Sequence, residues 1–338
     1  MLKILNDLIL PLLENYTVSY GKSAEQSADF IICESENISS ELSVFTEHEV
    51  DLSLSGMILE ASILDPECNN IYVLKKKEKK TFSKNAIFTW ISGKKFYSNP
   101  SLNVFHKSLL EHGFDGSKIV FTNDMDIEYR ILLDSMGYEI IDADPKFKYC
   151  PRDRHLVWYD FLNKNNFDFV YFLDSKDVLF QSCPCVLDQE KVYLVLEGKK
   201  HFECEWNTNE QIKLQGKCFF KEDFSNWEVI CSGTIFGNAN KVKNLFLQMW
   251  SVGAFANAPF TDQAALNYLY HCFCKNNSDF VVLDPRKSSL VATADLPYDP
   301  KPIFKDGCLY HSAQNEIYAI WHQWDRTEYS IQIMEKYL

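Results

Sequence analysis

The stretch from Asp168 to Gln181 constrains the fold more than any other part of this chain. It contains a continuous apolar run, Phe169 to Leu173, whose aromatic and aliphatic residues are typical of a strand buried on both faces of a parallel sheet. Two carboxylates, Asp174 and Asp177, follow that run directly. Open α/β sheets bind ligands at the carboxyl ends of their strands, and two neighbouring carboxylates suit a hard divalent cation that also holds phosphate oxygens. The alternative is a turn with two solvated aspartates.

Apolar runs alternate with segments of helical periodicity from about Asn85 onward. Such alternation with short connections favours right-handed crossovers and a mostly parallel sheet with helices on both faces. We therefore predict a Rossmann-like α/β fold. The predicted strands are 87–91, 118–122, 138–141, 169–173, 192–196, 230–237 and 280–283, and the predicted helices are 102–112, 127–136, 153–162, 240–250 and one that begins at 262. We expect Phe273 on the apolar face of that last helix and an irregular, charged and aromatic stretch over 199–224.

Residues 1–80 differ in character, with polar residues scattered through weakly alternating segments such as 29–33 and 57–63. They are predicted to form an N-terminal accessory region, and 81–338 the main domain; a separate small domain and edge elements on the main sheet both remain open. The opening segment 1–16 is apolar, but charged residues and a proline interrupt it, so it cannot cross a bilayer. Packing in a core or a dimer is favoured for it, and peripheral contact with a membrane is left open.

The composition excludes several classes of protein. A chain of 338 residues with 46% hydrophobic residues can bury one large core or two ordinary ones. Its net charge of -13 argues against nucleic-acid binding, because phosphate backbones demand clustered Lys and Arg. The eleven cysteines are scattered and no secretory signal precedes them, so we expect reduced thiols in a cytoplasmic protein.

Four motifs together carry a resemblance to a known family. LDSKDVLFQ contains the two aspartates, ICSGTIFG places small residues inside an apolar run, TDQAALNYL begins a helix, and AIWHQWDR lies near the end of the chain. In order and spacing they resemble a sugar-nucleotide-dependent glycosyltransferase of the GT-A fold, over roughly residues 85–326. No G-x-G-x-x-G and no G-x-x-x-x-G-K-[ST] motif occurs, so dinucleotide and P-loop chemistry lack their main support.

The resemblance implies a metal site. In that family the carboxylates at the strand end hold Mn²⁺ or Mg²⁺ against the diphosphate of the donor, usually with one residue between them. Here two residues separate Asp174 from Asp177, which leaves open whether both contact the metal or only Asp177 does. His322 is the implied third ligand, with His311 as its rival; a structural, hydrogen-bonded role is the alternative for either imidazole.

Catalytic roles are implied for Asp177, Asp262 and Glu197. Asp262 begins a helix, and by resemblance it faces the acceptor or the donor sugar. There it would deprotonate the acceptor in an inverting reaction; a retaining reaction needs no such base. A helix N-terminal carboxylate without catalytic function is equally compatible with the sequence. Glu197 ends a predicted strand and is a candidate contact for the acceptor.

The resemblance also implies a set of donor contacts. Ser232, Gly233 and Thr234 lie inside the apolar run, where small residues permit a sugar to approach, although a β-bulge explains the glycine equally well. Trp90 is either a base-stacking platform or a core residue, and Arg326 pairs either with phosphate or with a carboxylate. The implied donor-binding residues are Thr89, Trp90, Ser92, Arg154, Asp174, Ser175, Ser232, Gly233, Thr234, Gln263 and Arg326.

The resemblance thus predicts a GT-A-like catalytic domain over 81–338. Its expected activity is metal-dependent transfer of a hexose or deoxyhexose from a nucleotide diphosphate to a glycan or a lipid-linked acceptor. One alternative is a phosphoryl-transfer enzyme of the haloacid dehalogenase type, whose D-x-D-x-[TV] motif places the second aspartate one position earlier than here. Another is a non-catalytic carbohydrate-binding protein. The sequence leaves the donor, the acceptor, the stereochemical outcome and the oligomeric state open.

Overall fold

The computed structural model describes residues 82–92, 100–143, 151–183, 187–216, 222–256, 262–294 and 300–337, together with five strands between residues 16 and 76. The chain forms two compact units, one of residues 1–81 with 126–140 and the other of residues 82–125 with 141–338. The predicted division near residue 80 stays a prediction. The opening segment 1–15 and residues 77–81 lie outside the described part.

The first unit contains a five-stranded antiparallel sheet with the order β1-β2-β3-β5-β4. The weakly alternating segments 29–33 and 57–63 lie within two of these strands. The lysine-rich stretch 75–80 is typical of a solvated loop, but this expectation is wrong for Lys75 and Lys76, which pair with residues of the neighbouring strands. The bounds are β1 Tyr16–Lys22, β2 Asp29–Ser35, β3 Ile38–Thr46, β4 Met57–Leu64 and β5 Asn70–Lys76.

A second, seven-stranded sheet has the order β13-β11-β12-β9-β6-β7-β8. Its pairs β6/β7, β6/β9 and β11/β13 are parallel, whereas β12 is antiparallel to both β9 and β11. The bounds are β6 Asn85–Trp90, β7 Ser117–Thr122, β8 Tyr138–Asp142, β9 Phe169–Leu173, β11 Val192–Lys200, β12 Glu228–Asn238 and β13 Phe280–Leu283. The α/β class and the mostly parallel central sheet are confirmed.

Two smaller sheets complete the second unit. One has the order β10-β18-β14 and the other β15-β16-β17. Their bounds are β10 Val178–Phe180, β14 Val291–Thr293, β15 Ile303–Lys305, β16 Cys308–His311, β17 Glu316–Ile317 and β18 Ile320–His322. Because Val178 of β10 pairs with His322 of β18, a residue near the end of the chain is brought next to Asp177.

Seven α-helices are described: α1 Pro100–Glu111, α2 Ile127–Ser135, α3 Pro151–Lys164, α4 Glu205–Gln215, α5 Ala239–Ala256, α6 Asp262–Leu269 and α7 Ser330–Tyr337. The main core joins strands β6, β7 and β9 to α3 and α5, with Phe88, Phe172, Trp158 and Phe246 among its buried side chains. Aromatic rings dominate it, since Phe172 lies 4.6 Å from Phe88, 4.7 Å from Trp158 and 4.5 Å from Phe246 between centroids.

Two expectations about secondary structure are wrong. The stretch 199–224 is not irregular throughout: β11 runs to Lys200, a 3-10 turn covers His201–Glu203 and helix α4 follows. Hydrophobic periodicity does not predict α4, because its buried face is mostly polar and apolar residues do not recur with helical spacing. Phe273 is 64% exposed rather than buried, because α6 ends at Leu269 and the chain continues as a π-helix, Tyr270–Cys274.

The cysteines correct a further expectation. Cys183 is disulfide-bonded, contrary to the expectation of reduced thiols throughout. Cys204, Cys231, Cys272, Cys274 and Cys308 carry free thiols. Within the described ranges, every helix is either too short or too polar to span a bilayer.

Candidate metal centre and active site

Three side chains converge at the carboxyl end of β9. Asp174 follows β9 directly, Asp177 precedes β10, and His322 ends β18, which pairs with β10. Their potential ligand atoms all lie within 4.8 Å of one another. Nε2 of His322 is 3.5 Å from a carboxylate oxygen of Asp177 and 3.9 Å from one of Asp174. The structure therefore brings together both aspartates and the histidine predicted as metal ligands.

Gly233 of β12 leaves a space between these ligands. A Cβ built at this residue would collide with the Asp174 carboxylate and would lie 2.9 Å from Nε2 of His322. The backbone of Gly233 also holds Asp174, because its carbonyl accepts the Asp174 N–H at 2.9 Å. Only glycine keeps this space open.

The unsatisfied bonding capacity of His322 agrees with a cation there. Its side chain is 2% exposed, and Nε2 has no hydrogen-bond partner within the described part of the chain. The carboxylates of Asp177 and Asp174, at 3.5 Å and 3.9 Å, face this nitrogen without hydrogen-bonding to it, and a metal ion between them would supply the missing interaction. Two carboxylates and an imidazole form a donor set suited to a divalent cation such as Mn²⁺, so the residues fit the implied metal.

Charged neighbours favour the ionised forms of this cluster. Burial by itself raises the pKa of Asp177, but His322 and Arg326 outweigh it and lower that pKa below its ordinary value. Burial opposes a charge on His322, yet its contacts with Cys231 and Asp177 raise its pKa well above the ordinary value. A metal ion bound by the imidazole takes the place of that proton.

Arg326 reaches the cluster through an unusual turn. Gln323 has a left-handed backbone with φ of 62°, and its N–H donates to the carbonyl of Asp177 at 2.6 Å. This turn leads from β18 into a 3-10 helix, Trp324–Arg326, and brings the Arg326 guanidinium to 3.6 Å from Asp177. The guanidinium is 54% exposed, so its charge also faces the solvent.

Arg154 of α3 links two carboxylates from different elements. Its Nη1 donates to Asp174 at 2.8 Å and its Nη2 donates to Asp262 at 3.0 Å. The guanidinium also lies 5.1 Å from the ring centroid of Trp158. Asp262 is almost fully engaged, since its other oxygen accepts the N–H of Gln263 at 2.8 Å. Asp262 is therefore held as the partner of a buried cation.

A hydrogen-bond chain connects the floor of the site to helix α4. The backbone N–H of Ser232 donates to Oε1 of Gln263 at 3.1 Å, and Nε2 of Gln263 donates to Oδ1 of Asn207 at 2.7 Å. Asn207 is buried and also donates to Sγ of Cys204 at 3.2 Å. Sequence reasoning missed Asn207, because its partner Gln263 is distant along the chain and no local motif marks the pair.

Cys231 is a second residue that sequence reasoning missed. Its Sγ lies 3.3 Å from Nδ1 of His322, on the side of the ring opposite to the metal cluster. Burial raises the pKa of the Cys231 thiol, although its contact with His322 works against that rise. Burial also raises the pKa of Glu197 on β11, although His322 and hydrogen bonds from Gln263 and Cys231 work against that rise.

These groups line one cavity of about 610 Å³. Two hydrogen bonds shape its wall near β6: the indole N–H of Trp90 donates to Oγ of Ser92 at 2.7 Å, and Oγ of Ser175 donates to the carbonyl of Trp90 at 3.1 Å. The lining consists of Trp90, Ser92, Arg154, Asp174, Ser175, Lys176, Asp177, Glu197, Lys199, Cys204, Trp206, Asn207, Cys231, Ser232, Gly233, Asp262, Gln263, His322, Gln323 and Arg326.

Three candidates from the sequence lie elsewhere. Thr89 and Thr234 are fully buried and do not line the cavity, so the structure does not support the donor contacts expected of them. Their neighbours Trp90 and Gly233 point to the cavity instead, as expected when successive strand residues face opposite sides. His311, the rival for the third metal ligand, is buried against Tyr318 and lies outside the cluster.

No protein-family model and no curated protein sequence matches the chain. Solved structures similar to it include the galactosyltransferase LgtC in complex with donor and acceptor sugar analogues, at 14% identity and a TM-score of 0.45, over 75% of this chain and 96% of that chain. An active-site mutant of LgtC is 16% identical with a TM-score of 0.46, over 74% and 94%. The glycosyltransferase GlyE of Streptococcus pneumoniae TIGR4 is 16% identical with a TM-score of 0.43, over 76% of this chain and 60% of that chain.

The solved structures named above are glycosyltransferases. Identities and TM-scores this low leave the function to be argued from the residues of the site.

Proposed function

We propose that this protein is a metal-dependent glycosyltransferase that moves a hexose or deoxyhexose from a nucleotide diphosphate to a glycan or a lipid-linked acceptor. The observation that carries the proposal is the convergence of Asp174, Asp177 and His322 around the open space at Gly233. Two carboxylates alone would be a common surface feature. A buried imidazole whose Nε2 faces both carboxylates without hydrogen-bonding to either is not, because a buried nitrogen needs a compensating interaction.

The reaction breaks the bond between the anomeric carbon and the β-phosphate oxygen, and that oxygen leaves with the bonding electrons. A bound Mn²⁺ or Mg²⁺ supplies positive charge that stabilises the departing diphosphate without a proton. Asp174, Asp177 and His322 would hold the ion. Arg326 adds a planar cation at the cavity wall, where its exposed guanidinium can pair with phosphate oxygens.

Arg154 and Asp262 position the carboxylate of Asp174, one of the proposed metal ligands. Arg154 fixes the Asp174 carboxylate, and Asp262 fixes Arg154. One oxygen of Asp262 accepts from Arg154 and the other accepts the N–H of Gln263, so neither is free to receive the proton of an acceptor hydroxyl. We therefore assign Asp262 a positioning role in place of the role of general base that the sequence left open.

The proton of the acceptor hydroxyl has two destinations. In an inverting reaction it passes to a carboxylate, and Glu197 is the cavity carboxyl group whose raised pKa suits that task. In a retaining reaction it passes to the departing phosphate oxygen. The anomeric configuration of the product, measured by NMR, distinguishes the two.

Slow hydrolysis of the donor tests the proposal without knowledge of the acceptor. The purified protein is incubated with a panel of nucleotide-sugars in Mn²⁺, in Mg²⁺ and in EDTA, and the release of nucleoside diphosphate is measured. We expect release from at least one donor with metal and none with EDTA. Equal release in EDTA would refute the metal dependence, and no release from any donor would favour the non-catalytic alternative.

A further inference from the structure

The cavity extends well beyond the metal cluster. Its lining follows the strands in their spatial order, from Trp90 at β6, through Asp174 at β9 and Gly233 at β12, to Glu197 and Lys199 at β11. Neighbouring strands are about 4.8 Å apart, so the β6 side and the β11 side are separated by roughly 14 Å. The metal ligands lie between them. A donor whose nucleotide occupies the β6 side leaves the β11 side for a second substrate.

An exposed tryptophan marks the β11 side. Trp206 lies in the first turn of α4, lines the cavity and is 53% exposed. The chain contains seven tryptophans, all in the described ranges, and the other six are buried or half-buried. An indole ring half exposed in the lining of a polar cavity offers an apolar face that a ligand can cover.

The helix that carries Trp206 is tied to the floor of the cavity by hydrogen bonds. Asn207, the next residue, is buried and joined to Gln263, which holds the backbone of Ser232 beside the metal cluster. Helix α4 thus has a fixed distance to the floor of the cavity. Binding to such a platform loses little conformational entropy, because the position of the helix is fixed before the ligand arrives.

The surroundings of the ring indicate the chemistry of its ligand. Glu197, Lys199 and Gln263 line the cavity on the same side and offer donors and acceptors for hydroxyl groups. A pyranose ring has an apolar C–H face and a rim of hydroxyl groups, so it matches an indole platform with polar side chains around it.

We propose that Trp206 is the platform on which the acceptor binds, and that the moiety it recognises is a sugar ring. This inference rests on the proposed glycosyltransferase function and narrows it: a glycan is recognised through its terminal sugar, and a lipid-linked acceptor through the sugar that it carries. The exposed Phe202 nearby does not line the cavity and serves as a matched control.

The test uses the full chain, the donor identified by hydrolysis, and the methyl glycosides of glucose, galactose, mannose and N-acetylglucosamine as acceptors. We expect Trp206→Ala to raise the acceptor KM by about tenfold or more, with a smaller effect on kcat. Trp206→Phe should recover most of the affinity, since it keeps an aromatic face. Phe202→Ala should leave the acceptor KM unchanged.

A second readout needs no turnover. Iodide quenches the fluorescence of exposed tryptophans, and Trp206 is the exposed one. An accepted glycoside should protect the wild-type protein from quenching, and Trp206→Phe should abolish that protection.

Two results would count against the inference, and a third would count against the proposed function. An unchanged acceptor KM in Trp206→Ala would show that the ring is not the platform. Donor hydrolysis without transfer to any glycoside would refute a sugar acceptor. Absence of donor hydrolysis would contradict the proposed function instead, and the quenching measurement would still decide whether sugars bind at Trp206.

Discussion

Gly233 shows how a single residue determines whether the proposed metal site can form. The three candidate ligands come from two segments, the loop between β9 and β10 and the end of β18, and the space between them is kept free only because Gly233 lacks a side chain. Interiors are packed too closely for an extra methyl group to be absorbed there without displacement. The Asp174 carboxylate or the His322 ring would have to move, and either movement separates the ligands.

We predict that Gly233→Ala abolishes metal-dependent donor hydrolysis, by about 100-fold or more, because displacement of a ligand by an ångström is enough for such a loss. Donor hydrolysis with Mn²⁺ measures this, and circular dichroism checks that the protein is folded. Gly216→Ala is the control, because Gly216 lies at the end of α4 and does not line the cavity. Wild-type hydrolysis by Gly233→Ala would show that the space has no function.

Cys231 leads to a second prediction at this scale. Ligating imidazoles usually donate their other N–H to a partner that fixes the ring, and here the partner is a thiol. Cys231→Ala should weaken Mn²⁺ binding by roughly 10–100-fold. Cys231→Ser should restore most of it, because the hydroxyl can accept the same hydrogen bond. Calorimetric titration with Mn²⁺ measures both; equal affinity in wild type and Cys231→Ala would contradict the prediction.

Some helices and strands were predictable from the sequence and others were not. Strands β9 and β13 were predicted with their observed bounds, because short apolar runs between polar turns leave little choice. Helix α4 was missed because its buried positions include Asn207, Gln211 and Gln215. The candidate metal ligands were predicted before the structure, Asp174 and Asp177 from the strand that precedes them and His322 from the motif resemblance. Cys231 and Asn207 depend on contacts between distant segments that no local pattern encodes.

Helix α4 should depend on its buried asparagine. We predict that Asn207→Ala destabilises the protein by about 1–3 kcal/mol, because it leaves the side-chain amide of Gln263 without its partner. Amide hydrogen exchange should speed up in α4 first. Asn209→Ala on the exposed face of the same helix is the control and should have little effect. Equal stability of the two variants in urea denaturation would show that the link between α4 and α6 is unimportant.

At the scale of the whole molecule, the proposed site couples metal binding to nucleotide binding. Asp174, Asp177 and His322 would hold the metal, whose charge would favour binding of a diphosphate, so each ligand should increase the affinity for the other. The net charge of -13 makes this coupling more important, since an acidic protein does not attract a diphosphate by its overall field.

We therefore predict that nucleoside diphosphates stabilise the protein only together with a divalent cation. In thermal unfolding with UDP, GDP or CDP, at least one nucleotide plus Mn²⁺ should raise the Tm by several degrees more than the sum of the separate effects. At about 100 times the Kd, binding contributes ~2.7 kcal/mol. Strictly additive shifts for every nucleotide would contradict a shared site.

Direct titration with Mn²⁺ tests the central claim most simply, because it depends on neither donor nor acceptor. Electron paramagnetic resonance measures free Mn²⁺ as it is added to the wild-type protein, to Asp177→Asn, and to Asp168→Asn, which changes an exposed carboxylate at the other end of β9. We predict one site per chain in the wild type and in Asp168→Asn, and its loss in Asp177→Asn. Equal binding by all three proteins would contradict a metal centre formed by Asp174, Asp177 and His322.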